Sequence, residues 1–180
     1  MFFWRENSLR NRIVKRFAKS ERGVTALEFA LVGGPFIYLL GVIFETGIML
    51  FTEYAIENGV ARAARMIRTG QIQKASMSAA DFKNEVCGSL SAFLDCDTHL
   101  KVDVRKFTAF ADISIPKPVD KDGKVKVDEN FQTGGPMEVV VVRAYYDWKL
   151  IMPGISQLSN IAGGRRLLSA GAVFRNEPYS

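Results

Sequence analysis

The chain is poor in the residues that perform chemistry. It has one histidine and two cysteines in 180 residues. His99 is the only other soft ligand beside Cys87 and Cys96, so no zinc site is spelled out. Ser156 and Ser169 have no nearby histidine to activate them. Asp95, Asp97 and Asp103 are not spaced as a calcium loop, and Asp120-Lys-Asp-Gly starts like one without the ligands that should follow. With no catalytic, metal or cofactor set, an enzyme is not expected. Internal repeats and low-complexity segments are lacking too.

Most of the chain also lacks net charge. Seven basic and two acidic side chains precede Gly23, and seventeen of each follow it. The whole excess of +5 is therefore N-terminal. A nucleic-acid-binding domain would need its basic patch on the folded part, so that class is excluded. A basic N-terminal flank instead holds that end in the cytoplasm and sends the remainder across a membrane.

What the chain does have is one long apolar run. Nothing is charged in FALVGGPFIYLLGVIF, Phe29 to Phe44, and the character continues past Glu45 to Phe51. These 23 residues exceed the about 20 that a transmembrane helix needs. The run is too long for the core of a secretory signal, and Phe51-Thr52-Glu53 is a poor cleavage site. Gly33, Gly34 and Pro35 interrupt it, as a kink or as a notch of small residues for a neighbouring helix.

The helix is expected to continue through EYAIENGVARAARMIRTG to Gly70, a natural stop. Tyr54, Ile56, Val60, Ala61, Ala64 and Ile67 form an approximate stripe, with Arg62, Arg65 and Arg68 on the other side. A second helix is expected from Ser78, whose S-A-A-D resembles a capping box. Its stripe is Phe82, Val86, Leu90 and Phe93, and it ends before Asp95. Strands follow at HLKVDVRKF, MEVVVVRAYYDWKL and RRLLSAGAVFR, with FADISIP a weaker fourth. Val140, Val142, Ala144, Tyr146 and Trp148 share one face of the strongest strand; the row Val139 to Val142 with Tyr145, Tyr146 and Trp148 is expected to be core, its second face being the one that another subunit could meet. Pro116 to Pro136 is expected to be an exposed loop or loose hairpin, and PGISQLSNIAGG a connection. The fold class is α+β: a long N-terminal helix and a shorter helix on a small, mostly antiparallel sheet, with one face buried against the amphipathic half of the long helix.

Cys87 and Cys96 test that second helix. Nine helical residues would separate them by ~13.5 Å, whereas a disulfide needs Cα atoms within about 7 Å. Either they stay free, or the chain turns back near Gly88 or after Phe93. An exported location favours the disulfide.

A basic leader, Gly23, and an apolar helix with Glu28 fifth after the glycine together resemble the cleavage signature of type IV pilins and pseudopilins. RGVTALEFALVGGPFIYLLGVIFETG, followed by ENGVARAARMIRTGQ, is similar to the TadE-like family of tight-adherence (Tad) pilus proteins. CGSLSAFLDC, VDVR and RLLSAGAVFRNEPY add to the resemblance. It implies a pilin-like minor pilin or pseudopilin for pilus assembly and adherence, cut between Gly23 and Val24 by a prepilin peptidase. It also implies partners: other minor pilins, the major pilin and the inner-membrane platform. The expected parts are a cytoplasmic leader, 1–23; a span, 24–52; and a periplasmic domain, 53–180.

The physics of the motif agrees. Glycine adds no bulk where a protease must grip the backbone. The cut gives Val24 an ammonium group, and Glu28 lies one helical turn away, able to neutralise it in its own chain or a neighbour's. Pairing relieves two burial costs at once. The plainer account of Glu28 is a carboxylate favoured by a helix N-terminus. Glu45 either marks the exit into the periplasm or meets a partner's N-terminus or basic group. The competing overall reading is an uncleaved single-span protein whose periplasmic domain binds a ligand or envelope component.

Overall fold

The computed structural model describes residues 21–88, 94–152 and 157–179. These fall into two compact units, one ending at Phe44 and one starting at Glu45. Helix α1, Glu21–Arg68, supplies residues to both and runs through Pro35. It stops at Gly70, whose φ is 76°. A Cβ there would also run into the ring of Tyr179, so only glycine fits.

The second unit continues with α2 (Gln71–Lys74), α3 (Ala79–Cys87) and α4 (Cys96–His99). Three strands complete it: β1 (Leu100–Phe107), β2 (Val139–Lys149) and β3 (Arg165–Arg175). They pair antiparallel in the order β1-β2-β3. Val104 stands opposite Val142, and Val142 opposite Ala172. The long helix and the small antiparallel sheet bear out the α+β reading.

One sheet face packs on α1 from Met49 onward. Val102, Val104, Val140, Val142, Ala144, Tyr146, Trp148, Leu168 and Ala170 share a core with Met49, Ile56, Val60, Ala63, Ala64 and Ile67. Complete burial of a side chain such as Ile56 or Ile67 stabilises by about 1.5–3 kcal/mol. The helical stripe differs from expectation at two places. Tyr54 is 64 % exposed, and Ala61 is exposed as well. The buried row is Glu45, Met49, Thr52, Ile56, Val60, Ala63 and Ile67, spaced three or four apart. Tyr54 and Ala61 are apolar but lie off that row. Thr52 fits it because its hydroxyl donates to the Ile48 carbonyl of its own helix, at 2.9 Å.

The second helix is shorter than expected. Ser78 caps α3, its Oγ accepting from the Asp81 N–H at 3.2 Å while its own N–H donates to the Asp81 carboxylate at 3.0 Å. Phe82 and Val86 are buried; Leu90 and Phe93 lie outside the described residues. The helix ends at Cys87. That break lets Cys87 and Cys96 form a disulfide with their Cα atoms 6.1 Å apart, within bonding reach.

The weaker strand candidate, FADISIP, is not a strand. Phe110–Asp112 is a single 3-10 turn, held by the Ala109 N–H donating to the Asp112 carboxylate at 3.1 Å. The outer edge of β1 goes to a more distant segment: Val104 N–H donates to the Asn130 carbonyl at 2.8 Å, and Gln132 N–H to the Val104 carbonyl at 2.9 Å.

The loop over 116–136 does more than lie in solvent. Val119, Val125 and Val127 pack against Tyr145, Ile161 and Leu167. Val139, Val141 and Tyr145, on the sheet face away from α1, are buried. The row Val139 to Val142 with Tyr145 is thus core, as its apolar character led us to expect, and the chain's own loop packs on the second face of β2. The expected turn at Asp120 shapes this cover, its Oδ1 accepting from the N–H groups of Asp122 and Lys124 at 2.9 and 2.8 Å.

A buried carboxylate fastens the cover. Asp103 is 1 % exposed. It accepts from Arg143 Nη2 at 2.5 Å, Arg105 Nε at 3.0 Å and the Asn130 N–H at 3.2 Å. Arg143 Nη1 also donates to the Pro116 carbonyl at 3.2 Å. Burial pushes the Asp103 carboxyl up, but the hydrogen bonds from Arg143 and Arg105 outweigh it and hold the pKa below its ordinary value. This contribution is complete above the unfolded value of about 3.9 and is lost as pH falls through the lower folded value. Asp103→Asn leaves two arginines without their counter-charge and is expected to cost about 3 kcal/mol at neutral pH. Thermal melts of the detergent-solubilised chain check this. From about pH 6 to about pH 2 the native chain should lose more stability than the variant.

Candidate processing and assembly site

Gly23, Val24 and Glu28 lie in the first turns of α1. Val24 is 48 % exposed and Glu28 is exposed. Glu28 has no hydrogen-bond or ion-pair partner among the described residues. Four residues along a helix are ~6 Å of rise, and positions four apart share a face. Glu28 therefore sits one turn from the backbone nitrogen of Val24. The Gly23–Val24 bond is itself helical, so a protease needs that first turn opened. Helix ends fray readily, and glycine weakens a helix by about 1 kcal/mol relative to alanine.

The following turns are apolar on all sides. Phe29, Leu31, Val32, Phe36, Ile37, Leu39, Ile43 and Phe44 are each more than half exposed. A helix apolar all round belongs in a core or a membrane. Among the described residues its most apolar window is unburied, and α1 is long and apolar enough, by length and composition, to cross a membrane once. Gly34 has open space where a Cβ would go, and a Cβ on Gly33 would make ordinary contact with the Phe29 ring at 3.6 Å. Their smallness is not required by packing among the described residues. It leaves a shallow surface beside Pro35 where another helix can approach.

Glu45 stands apart from Glu28. It is 2 % exposed and heads the buried row of α1. Its Oε1 accepts from the Ile151 N–H, just beyond β2, at 2.6 Å. Its Oε2 is buried without a partner among the described residues. Sequence reasoning left Glu45 as either the exit into the periplasm or a contact for a partner's N-terminus or basic group, and did not foresee its bond to Ile151. The available signal was its place four residues before Met49 and seven before Thr52.

The remaining sequence candidates are dispersed. His99 is half-buried in a hollow of about 470 Å³, with Ile48, Tyr146, Trp148 and Ile151 in its wall. Arg165 Nη2 lies 3.2 Å from its Nδ1, and Arg165 Nε pairs with Asp147 at 2.7 Å. The lining contains no Ser, Thr or Cys. Ser169 is exposed on β3, and Ser156 lies outside the described residues. No group of three or more His, Cys, Asp or Glu that could hold a metal occurs among the described residues.

The Glu45–Ile151 hydrogen bond joins residues 106 apart in sequence. Glu45→Ala removes the acceptor and leaves a space, and is expected to lower stability by about 2 kcal/mol. Glu45→Gln keeps an acceptor of the same shape and should cost less than half of that. Thermal melts of the solubilised chain check the order, with limited proteolysis near Ile151 reporting loosening there.

The family model of the TadE-like protein matches residues 23–65, from Gly23 into the packed part of α1. No curated protein and no solved structure matches the chain. The resemblance seen in the N-terminal motif is thereby supported: residues 23–65 form a TadE-like segment.

Proposed function

We propose that this protein is a minor pilin or pseudopilin of Tad pilus assembly, acting in an initiation or tip complex that supports adherence. One observation carries the reading. The family-matched stretch of α1 starts at Gly23 and Val24, places Glu28, without a partner among the described residues, one turn on, and then exposes apolar side chains from Phe29 to Phe44. That is the form of a subunit meant to be cut, held in lipid and then packed against others.

In this reading the leader, 1–23, stays cytoplasmic and is removed after Gly23 by a prepilin peptidase. Residues 24–52 cross the inner membrane, and 53–180 fold in the periplasm. The disulfide between Cys87 and Cys96 suits that oxidising compartment. The new ammonium of Val24 is neutralised by Glu28 of its own or a neighbouring subunit, so register is set by charge. Gly33 and Gly34 admit a neighbouring helix. The partners are other minor pilins, the major pilin and the inner-membrane platform. The protein catalyses nothing; it works by packing.

An uncleaved single-span protein with a ligand- or envelope-binding domain is the second reading. The helical state of the Gly23–Val24 bond favours it. Mass spectrometry of the protein from cells with an active prepilin peptidase decides between them. The expected mass lacks residues 1–23; an intact leader overturns the proposal. Gly23→Leu should accumulate uncut. Glu28→Ala should be cut normally yet fail to assemble, as counted by pili on the cell surface.

A further inference from the structure

The two edges of the sheet are treated differently. β1 is covered by the backbone of 130–132. β3 is covered at its start, where the Asn160 and Ile161 N–H groups donate to the Arg165 carbonyl and the Asn160 side chain bonds the Leu167 backbone; from Ser169 to Arg175 it pairs only with β2 among the described residues. Ser169, Gly171, Val173 and Arg175 are exposed along it, Val173 by 50 %. A long edge with unpaired N–H and C=O groups is a template for another strand, and chains that do not use such an edge blunt it. β3 carries no proline, and no lysine.

Beside this edge lies a hollow of about 340 Å³ between α1 and β3. Ala61, Ala64, Arg65 and Arg68 line it from the helix, and residues 172–174 from the strand. Its floor is small and apolar, and its charge is positive. Arg65 has no side-chain partner among the described residues. Arg68 meets Glu177 at 3.3 Å, with both side chains about half exposed. An exposed pair of that kind contributes about 0–1 kcal/mol and exchanges easily. Glu57 lies one turn before Ala61, so negative charge is disfavoured toward that end.

We propose that the free edge of β3 receives an extended acidic segment of a partner protein by strand addition. Backbone hydrogen bonds to β3 would supply affinity and alternate side chains would enter the hollow, the division of labour usual in this mode. Small apolar side chains would lie on Ala61 and Ala64. Carboxylates two residues apart, ~6.6 Å along a strand, would meet Arg65 and Arg68, whose positions are ~4.5 Å apart along the helix. A second copy of this chain would bring the same arginines against their own kind. The charge therefore selects a different, acidic partner. The proposal draws on the assembly reading for the kind of protein that supplies the segment; the contact itself does not depend on it.

The test uses the full chain in detergent micelles and three labelled ten-residue peptides. In the first, alternate positions read Val, Val, Asp, Asp with Ser between them, so that all four face one side; the second has Lys in place of Asp; and the third is the acidic peptide N-methylated on alternate residues to remove its ladder N–H groups. Fluorescence anisotropy gives affinity, and hydrogen–deuterium exchange reports the β3 amides. The acidic peptide should bind at least tenfold tighter than the other two and protect the 169–175 amides. Arg65→Glu with Arg68→Glu should lose at least tenfold for it and gain for the Lys peptide. If that variant does not fold, the peptide comparison stands alone, since it leaves the chain unchanged. Equal binding of acidic and basic peptides, equal binding of the N-methylated peptide, no binding, or self-association through β3 would each overturn the proposal. None of these readouts uses cleavage or pilus assembly, so failure here is separable from failure of the assembly reading.

Discussion

Beyond Phe44, α1 has one face to bury, and the sheet receives it. The row from Met49 to Ile67 meets Val102, Val104, Val140, Val142 and Ala144 in a single core. Each of those strand positions takes its inward place from the period of two along a strand. Were the helical row displaced by one residue, Met49, Ile56 and Ile67 would turn away and exposed neighbours such as Leu50 or Arg68 would turn in. The apolar burial then lost would be several side chains at about 1.5–3 kcal/mol each. Register between this helix and the sheet is thus set by burial, and β1, β2 and β3 follow from it.

A sheet with one face so committed has a second face to manage. Here a loop covers it, and covering a sheet with irregular backbone leaves polar groups to satisfy. Asp103 answers that need. It lies in the middle of β1, opposite Arg143, and its carboxylate accepts directly from the Asn130 N–H. Arg143, held by Asp103, reaches the Pro116 carbonyl. One buried ion pair thus fixes both ends of a covering segment whose own apolar contribution is only a few valines. A similar clasp closes the opposite side of that loop. The Asn176 amide donates to the Thr133 and Gly135 carbonyls at 3.0 and 2.9 Å, and the Tyr179 hydroxyl to the Gly134 carbonyl at 3.2 Å.

What was legible in the sequence follows from this division. Periodic segments announced themselves: the three strands, the cap at Ser78, the stop at Gly70 and the long apolar helix. Each depends on neighbours close in sequence. The covering loop did not, because Val119, Val125 and Val127 have no period, and the carboxylate that fastens it, Asp103, reaches its partners across 27 and 40 residues of sequence. Tyr54 and Ala61 were placed on the buried stripe because they are apolar, although apolarity does not fix direction on a helix whose first half is apolar on all sides. Of the candidate site, the contiguous motif Gly23–Glu28 was readable since its meaning is local. The burial of Glu45 was not, because its hydrogen-bond donor is Ile151.

Glu28 and Glu45 show how one residue type on one helix takes two physical roles. Both interrupt an apolar run, and both carry a cost if ionised away from water. Glu45 meets part of that cost inside its own fold, through the Ile151 N–H, and so acts as a fastening between helix and sheet. Glu28 has no such donor among the described residues. Whatever offsets its charge must come from the aqueous boundary, from its own helix N-terminus after a cut at Gly23, or from a neighbouring subunit. Only the last two make its position matter to within a single turn. In a membrane helix, a carboxylate satisfied within its chain reports on folding. One that its chain leaves unsatisfied points to what the chain has yet to bind.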